Sequence, residues 1–137
     1  MIGAIIGDII GSRFEFIGFK SEVFELFGGD KITSQECDFT DDSVMTIAVA
    51  DAILRCPSLD EEEFKRTLIE RMHHFGQKYI NRGDGGRFYH WILNKETQPY
   101  SSFGNGSAMR CAPSGYCCDT LEDTLKIAKY TSEVSHN

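Results

Sequence analysis

The sequence has no apolar run near the ~20 residues that a bilayer-spanning helix needs. Its opening also lacks the basic segment, apolar core and small-residue cleavage site of a secretion signal. A membrane role is therefore not expected, and a cytoplasmic setting is. Proline numbers only 3, and no Pro/Ser-rich linker, repeat or low-complexity tract interrupts the chain, so residues 1–137 are expected to form a single domain. Positive charge is in short supply: 14 Lys+Arg stand against 21 Asp+Glu, a formal net charge of −7. Binding to a phosphate backbone needs a Lys/Arg surface, so no nucleic-acid partner is expected. The cysteines (Cys37, Cys56, Cys111, Cys117, Cys118) are odd in number and show no CxxC spacing. Neither a disulfide framework nor a tetrahedral zinc set with His73, His74, His90 and His136 is expected, and the thiols read as buried or idle.

Hydrophobic residues at 41% and charged residues at 26% place the chain in the ordinary globular range. The periodicity is helical and the expected fold is all-α. Phe64, Leu68, Met72, Phe75 and Tyr79 recur at spacings of three and four and predict a helix over 60–80. Ser58 with Glu61 reads as a capping box at its start. A second helix over 42–55 carries Val44, Met45, Ile47, Ala48, Val49, Ala52, Ile53 and Leu54, apolar nearly all round, and is expected to be central and buried. A third over 121–134 opens at Thr120 and Asp123 in cap spacing, with Leu125, Ile127 and Ala128 facing inward. Phe88, Tyr89, Trp91 and Ile92 are expected in the core. Gly3, Gly7 and Gly11 fall on one stripe of a helix, at a cost of ~1 kcal/mol each against Ala. That stripe implies close packing against another backbone or a ligand beside the helix. Gly-rich loops stand at 28–29, 83–86 and 104–106, and residues 16–40 look irregular, with a short extended piece near 23–27.

Four stretches could carry chemistry. Thr40-Asp41-Asp42 runs straight into the buried helix and offers three hard oxygen ligands, while helix capping by Asp41 is the plainer alternative. Ser102-Phe103-Gly104-Asn105-Gly106-Ser107 leads into Ala108-Met109-Arg110. Small residues and backbone N–H groups there suit a phosphate, although a plain turn is the alternative. Arg110 is as well suited to a structural ion pair as to a ligand. Glu15, after the glycine stripe, is a candidate general base or a solvated charge. His136 closes the chain in Ser135-His136-Asn137 and by itself signifies nothing.

In this order, residues 3–15, then 39–45, then 102–110, then 135–137 together resemble the ADP-ribosylglycohydrolase family, that of dinitrogenase-reductase-activating glycohydrolases and their eukaryotic relatives. The resemblance implies an orthogonal all-α bundle that hydrolyses ADP-ribose from modified protein side chains or related ADP-ribosyl compounds. It also implies a pair of Mg²⁺ (or Mn²⁺) ions. By the same resemblance Thr40, Asp41 and Asp42 match a metal-ligand triplet, with Asp41 or Asp42 able to take a proton. Glu15 matches an acid lining the site, Ser102, Phe103, Gly104, Asn105, Gly106 and Ser107 match the loop that holds the ADP-ribose phosphates, and His136 matches a ligand-contacting histidine.

One departure stands out. The family supplies a second metal stretch, Asp-x-Asp-Thr/Ser, and no Asp-x-Asp occurs here. The chain is expected to represent the N-terminal half of such a protein, to hold at most one of the two ions, and to turn over weakly or not at all alone. A non-catalytic ADP-ribose-binding or interaction module is the alternative. Half a bundle leaves an apolar face, so a homo-oligomer or a C-terminal partner half is expected.

Overall fold

In the computed structural model, residues 1–15, 20–22 and 37–136 are described. The expected extended piece at 23–27 and the loop at 28–29 lie outside them. The described residues are helical: α1 (Ile2–Glu15), α2 (Asp41–Arg55), α3 (Glu61–Lys78), α4 (Gly86–Leu93), α5 (Gly106–Met109), a 3₁₀ turn (Ala112–Tyr116) and α6 (Leu121–Glu133). Among them no helix is long and apolar enough to cross a membrane.

Helix α2 is the hub, because α1, α3, α5 and the 3₁₀ turn all pack against it. Its Val44, Met45, Ala48, Val49 and Ala52 are buried against Phe64, Leu68 and Met72 of α3, Trp91 and Ile92 of α4, and Ile127 and Tyr130 of α6. The expectation of an all-round buried α2 needs correction: Ile47 is exposed, and Leu54 is 79% exposed. Leu125 likewise faces outward, while Ile127 faces in. Beside Leu54 an apolar groove of about 580 Å³ opens between Met1, Ile2, Gly3, Ala50, Ile53, Pro113, Tyr116 and Cys117.

The caps follow the oxygen donors available. The start of α3 is capped by Asp60, whose carboxylate accepts the Glu63 N–H at 3.1 Å. The expected Ser58–Glu61 box is therefore shifted two residues, and Ser58 instead accepts the Asp60 N–H at 3.4 Å. Thr40, not Asp41, caps α2 by accepting the Asp42 N–H at 3.3 Å. Thr120 caps α6 through the Asp123 N–H, as its spacing predicts. All five cysteines are free.

The glycines divide into two kinds. Among the described residues no atom lies within 4 Å of a Cβ built at Gly3, Gly7 or Gly11, so none of them presses a second backbone on that stripe. Gly76 of α3 is the contrary case: a Cβ there would sit 2.5 Å from Ile92 Cδ1 and 3.1 Å from both of its γ-carbons. Ile92 is fully buried, so any displacement pushes it toward other core side chains. Overpacking costs ~1–3 kcal/mol, and the better helix propensity of Ala returns up to ~1. Gly76→Ala is expected to lower stability by ~1–2 kcal/mol in urea denaturation, and adding Ile92→Val, which removes Cδ1, to recover part of it. An unchanged midpoint for the single variant would contradict this packing.

Candidate functional site

Acidic side chains from three elements meet at the start of α2. Asp8 of α1 accepts three hydrogen bonds there: from Thr40 N–H at 2.9 Å, from the Thr40 hydroxyl at 2.6 Å, and from Ser43 N–H at 3.2 Å. Ser12 accepts the Asp38 N–H at 3.1 Å, a second tie between α1 and the segment entering α2. On the other side, Asp41 N–H donates to the Arg82 carbonyl at 2.8 Å. Arg82 pairs with Asp38 and lies 4.0 Å over the Phe39 ring. These links bring the loop holding Asp84 against Asp41.

The electrostatics record the crowding. Burial first, then Asp84, Asp42 and Glu15 in turn, push the Asp41 carboxyl up to about 7. Burial and then Asp8 raise Asp42, while burial, Asp42 and Asp8 raise Glu15. Asp84 is raised by burial, and its Oδ1 is buried with no hydrogen-bond partner among the described residues. The charged forms of these four acids are disfavoured, and a hard cation nearby would offset that.

Two clefts adjoin this cluster. One, of about 310 Å³, has Asp41, Arg87 and Arg110 in its walls with Ser102, Phe103, Gly104, Asn105, Gly106 and His136. The other, also about 310 Å³, is lined by Gly7, Asp8, Gly11, Ser12, Glu15 and Asp42. Asn105 lines both. The open side of the glycine stripe thus borders a cleft, and Cβ-free positions widen it.

The residues singled out in the sequence are distributed between these walls. Asp41 faces the loop of residues 102–106, whereas Asp42 and Glu15 face the glycine stripe. Phe103 is 98% exposed at the rim. Ser107 stands in the first turn of α5 and does not line either cleft. His136 is half-buried, with Nε2 3.0 Å from the Gly104 carbonyl oxygen and Nδ1 2.9 Å from Ser135 Oγ. Among the described residues no three His, Cys, Asp or Glu side chains stand at the spacing of a metal site. Thr40, Asp41 and Asp42 with waters could hold one hard cation.

Asp8, Asp84 and Arg110 were not assigned to the site from sequence. Asp8 carried a signal, since an acid inside an otherwise apolar helix is a poor helix former that needs a reason to be there. Asp84, set among glycines, carried a weaker one. Arg110 makes no ion pair among the described residues, and it is buried.

Asp41 gives a pH signature in the absence of metal. Its carboxyl is raised from 3.8 to about 7 in the folded chain, so over that interval the folded state binds more protons than the unfolded one. Its contribution to stability therefore falls as pH rises through the interval and levels off above it. In chelator, the melting temperature of Asp41→Asn relative to the parent is expected to climb between those pH values and then hold steady. A difference independent of pH would contradict the placement of Asp41.

The profile of the ADP-ribosylglycohydrolase family matches residues 1–137. The chain is 24% identical to ADP-ribosylhydrolase ARH3 of Danio rerio over 161 residues, covering 100% of this chain and 41% of that protein. The Homo sapiens ARH3 is 23% identical over 167 residues, covering 99% of this chain and 43% of its own length. ADP-ribosylarginine hydrolase Tri1 of Serratia proteamaculans is 31% identical over 75 residues, 54% of this chain and 20% of that one. The chain spans about two fifths of the length of the ARH3 relatives. With the family profile running from the first residue to the last, this chain belongs to the ADP-ribosylglycohydrolase family.

Proposed function

We propose that this chain provides the N-terminal part of a Mg²⁺-dependent (or Mn²⁺-dependent) hydrolase that releases ADP-ribose from ADP-ribosylated protein side chains or related ADP-ribosyl compounds. The observation that carries the proposal is the meeting of two clefts at the start of α2, one walled by Asp41 and the loop of residues 102–106 and the other by Asp42 and Glu15, with Asn105 common to both, in a chain of this family.

Thr40, Asp41 and Asp42 are the residues that would hold a divalent ion, and the raised carboxyls around them fit a hard cation. At most one ion is expected from these groups alone. When bound, such an ion supplies positive charge and Lewis acidity beside the ribose. The rest of the work belongs to side chains. The loop of residues 102–106 and His136 would hold the diphosphate, with the Arg87 and Arg110 charges in the same wall offsetting it. Phe103, exposed at the rim, offers a ring face on which a base can stack. Hydrolysis replaces the bond from the ribose anomeric carbon to the side chain with one to a water oxygen, so one proton leaves the water and one joins the departing group. Asp41, Asp42 or Glu15 would take the first.

We also propose that the apolar groove beside Leu54 and Tyr116 is covered in the working protein, by a C-terminal partner half or by a second copy of the chain. The exposed Ile2, Leu54 and Tyr116 that line it support this. Light scattering is expected to show self-association of the isolated chain. A stable monomer that binds no hydrophobic dye would contradict it.

Mg²⁺ at millimolar concentration is expected to raise the melting temperature of the parent chain at neutral pH by several degrees and that of Asp41→Asn/Asp42→Asn hardly at all. Calorimetry is expected to detect ADP-ribose binding, with little release of ADP-ribose from a modified protein until the C-terminal half is added. Equal Mg²⁺ effects in both proteins would remove the metal from the proposal. Binding that never leads to release in the combined halves would favour an ADP-ribose-binding module.

A further inference from the structure

Arg110 is 1% exposed and pairs with no carboxylate among the described residues. Its Nε and Nη2 donate to the Thr131 carbonyl at 3.2 and 2.7 Å, and Nη2 also donates to Ser135 Oγ at 2.6 Å. Ser135 is fully buried, and its Oγ is 2.9 Å from His136 Nδ1. His136 Nε2 is 3.0 Å from the Gly104 carbonyl oxygen. The buried guanidinium is thus joined to the rim of the cleft by three consecutive polar contacts.

Donor and acceptor bookkeeping fixes the protons along this path. A carbonyl oxygen only accepts, so His136 Nε2 carries the hydrogen that reaches Gly104. In a neutral imidazole Nδ1 is then an acceptor, and Ser135 is the hydroxyl facing it. Ser135 Oγ already accepts from Arg110, which leaves its own proton to donate to Nδ1. The reverse tautomer would set the Nε2 lone pair against the Gly104 oxygen. A doubly protonated ring would make Ser135 accept from two cations and would strand its proton.

The peptide at stake joins Gly104 to Asn105. In a trans peptide the C=O and the following N–H point in opposite directions, so holding the Gly104 oxygen also aims the Asn105 N–H. A flip of this peptide changes ψ of Gly104 and φ of Asn105, and glycine together with asparagine, which enters the left-handed region more readily than most residues, permits both orientations. The same end of α6 holds the preceding residues: the Ser135 carbonyl accepts Tyr100 N–H at 3.4 Å and Ser102 N–H at 3.2 Å.

We infer that Arg110 and Ser135 are positioning residues that lock His136 as its neutral Nε2–H tautomer, and that this lock selects one orientation of the Gly104–Asn105 peptide. The loop then presents a fixed set of donors to an anion in the cleft. That the anion is a diphosphate rests on the function proposed above; the tautomer and the peptide orientation do not.

The test uses the ¹⁵N-labelled chain at pH 8. Long-range ¹H–¹⁵N correlation is expected to show His136 with a protonated Nε2 and an unprotonated Nδ1. Ser135→Ala should turn that pattern into a tautomer mixture, shift or broaden the Gly104 and Asn105 amide signals, and weaken ADP-ribose binding about tenfold. Ser135→Thr, which keeps the hydroxyl, should restore all three. His136→Ala leaves the buried Arg110 untouched and should disturb the same two amides, so a poorly folded Ser135 variant does not end the test. A parent spectrum with hydrogen on Nδ1 overturns the inference. An unchanged His136 pattern in Ser135→Ala does the same. The expected tautomer in a chain that binds no ADP-ribose supports the lock and counts instead against the proposed ligand.

Discussion

Asp8 holds the start of α2 against α1 by accepting the amide and hydroxyl of Thr40 and the amide of Ser43. The candidate site depends on this contact, which joins residues more than thirty positions apart. An aspartate in the middle of a helix is unfavourable locally, and three hydrogen bonds to a charged acceptor more than offset that. The consequence is electrostatic. With α1 pinned there, Glu15 and Asp42 share one cleft, and Arg82 brings Asp84 up to Asp41 from the opposite side. The fold therefore gathers like charge around the start of α2, which the proposed divalent cation would relieve.

Charge is divided across the two adjoining clefts. Acids crowd one wall, while the loop of residues 102–106 is linked through His136 and Ser135 to Arg110, which makes no ion pair among the described residues. A ligand with an anionic diphosphate at one end and neutral hydroxyls at the other matches that division. Asn105, common to both clefts, marks where the two ends would meet. A net charge of −7 is thus no bar to an anionic ligand, because the local arrangement of charge outweighs the total.

Much of the helical layout was legible because strong local rules agree with burial. The three-and-four stripe of Phe64, Leu68 and Met72, and the Thr120 cap, are of this kind. The Asp60 cap was misplaced because Ser58 and Asp60 both offer an oxygen, and only the backbone path selects between them. Leu54 and Leu125 read as core since hydrophobicity says that a side chain avoids water, not which partner covers it. Thr40, Asp41, Asp42 and the loop ending in Gly106 stood out as contiguous motifs. Asp8, Asp84 and the Arg110–Ser135–His136 path did not, because each owes its meaning to a contact across the fold. The glycine stripe shows the same limit: its sequence spacing fits a packed helix pair as well as an open cleft, and only the empty space beside Gly7 and Gly11 separates them.

The account stands on the acids at the head of α2 being a cation site and not merely a capped helix end. Anomalous diffraction from crystals of the chain soaked in Mn²⁺ measures this most directly. The account predicts a manganese peak in contact with the carboxylates of Asp41 or Asp42, with Asp8 still bonded to Thr40. A map with no peak there, and with those carboxylates bonded instead to backbone amides, would contradict it.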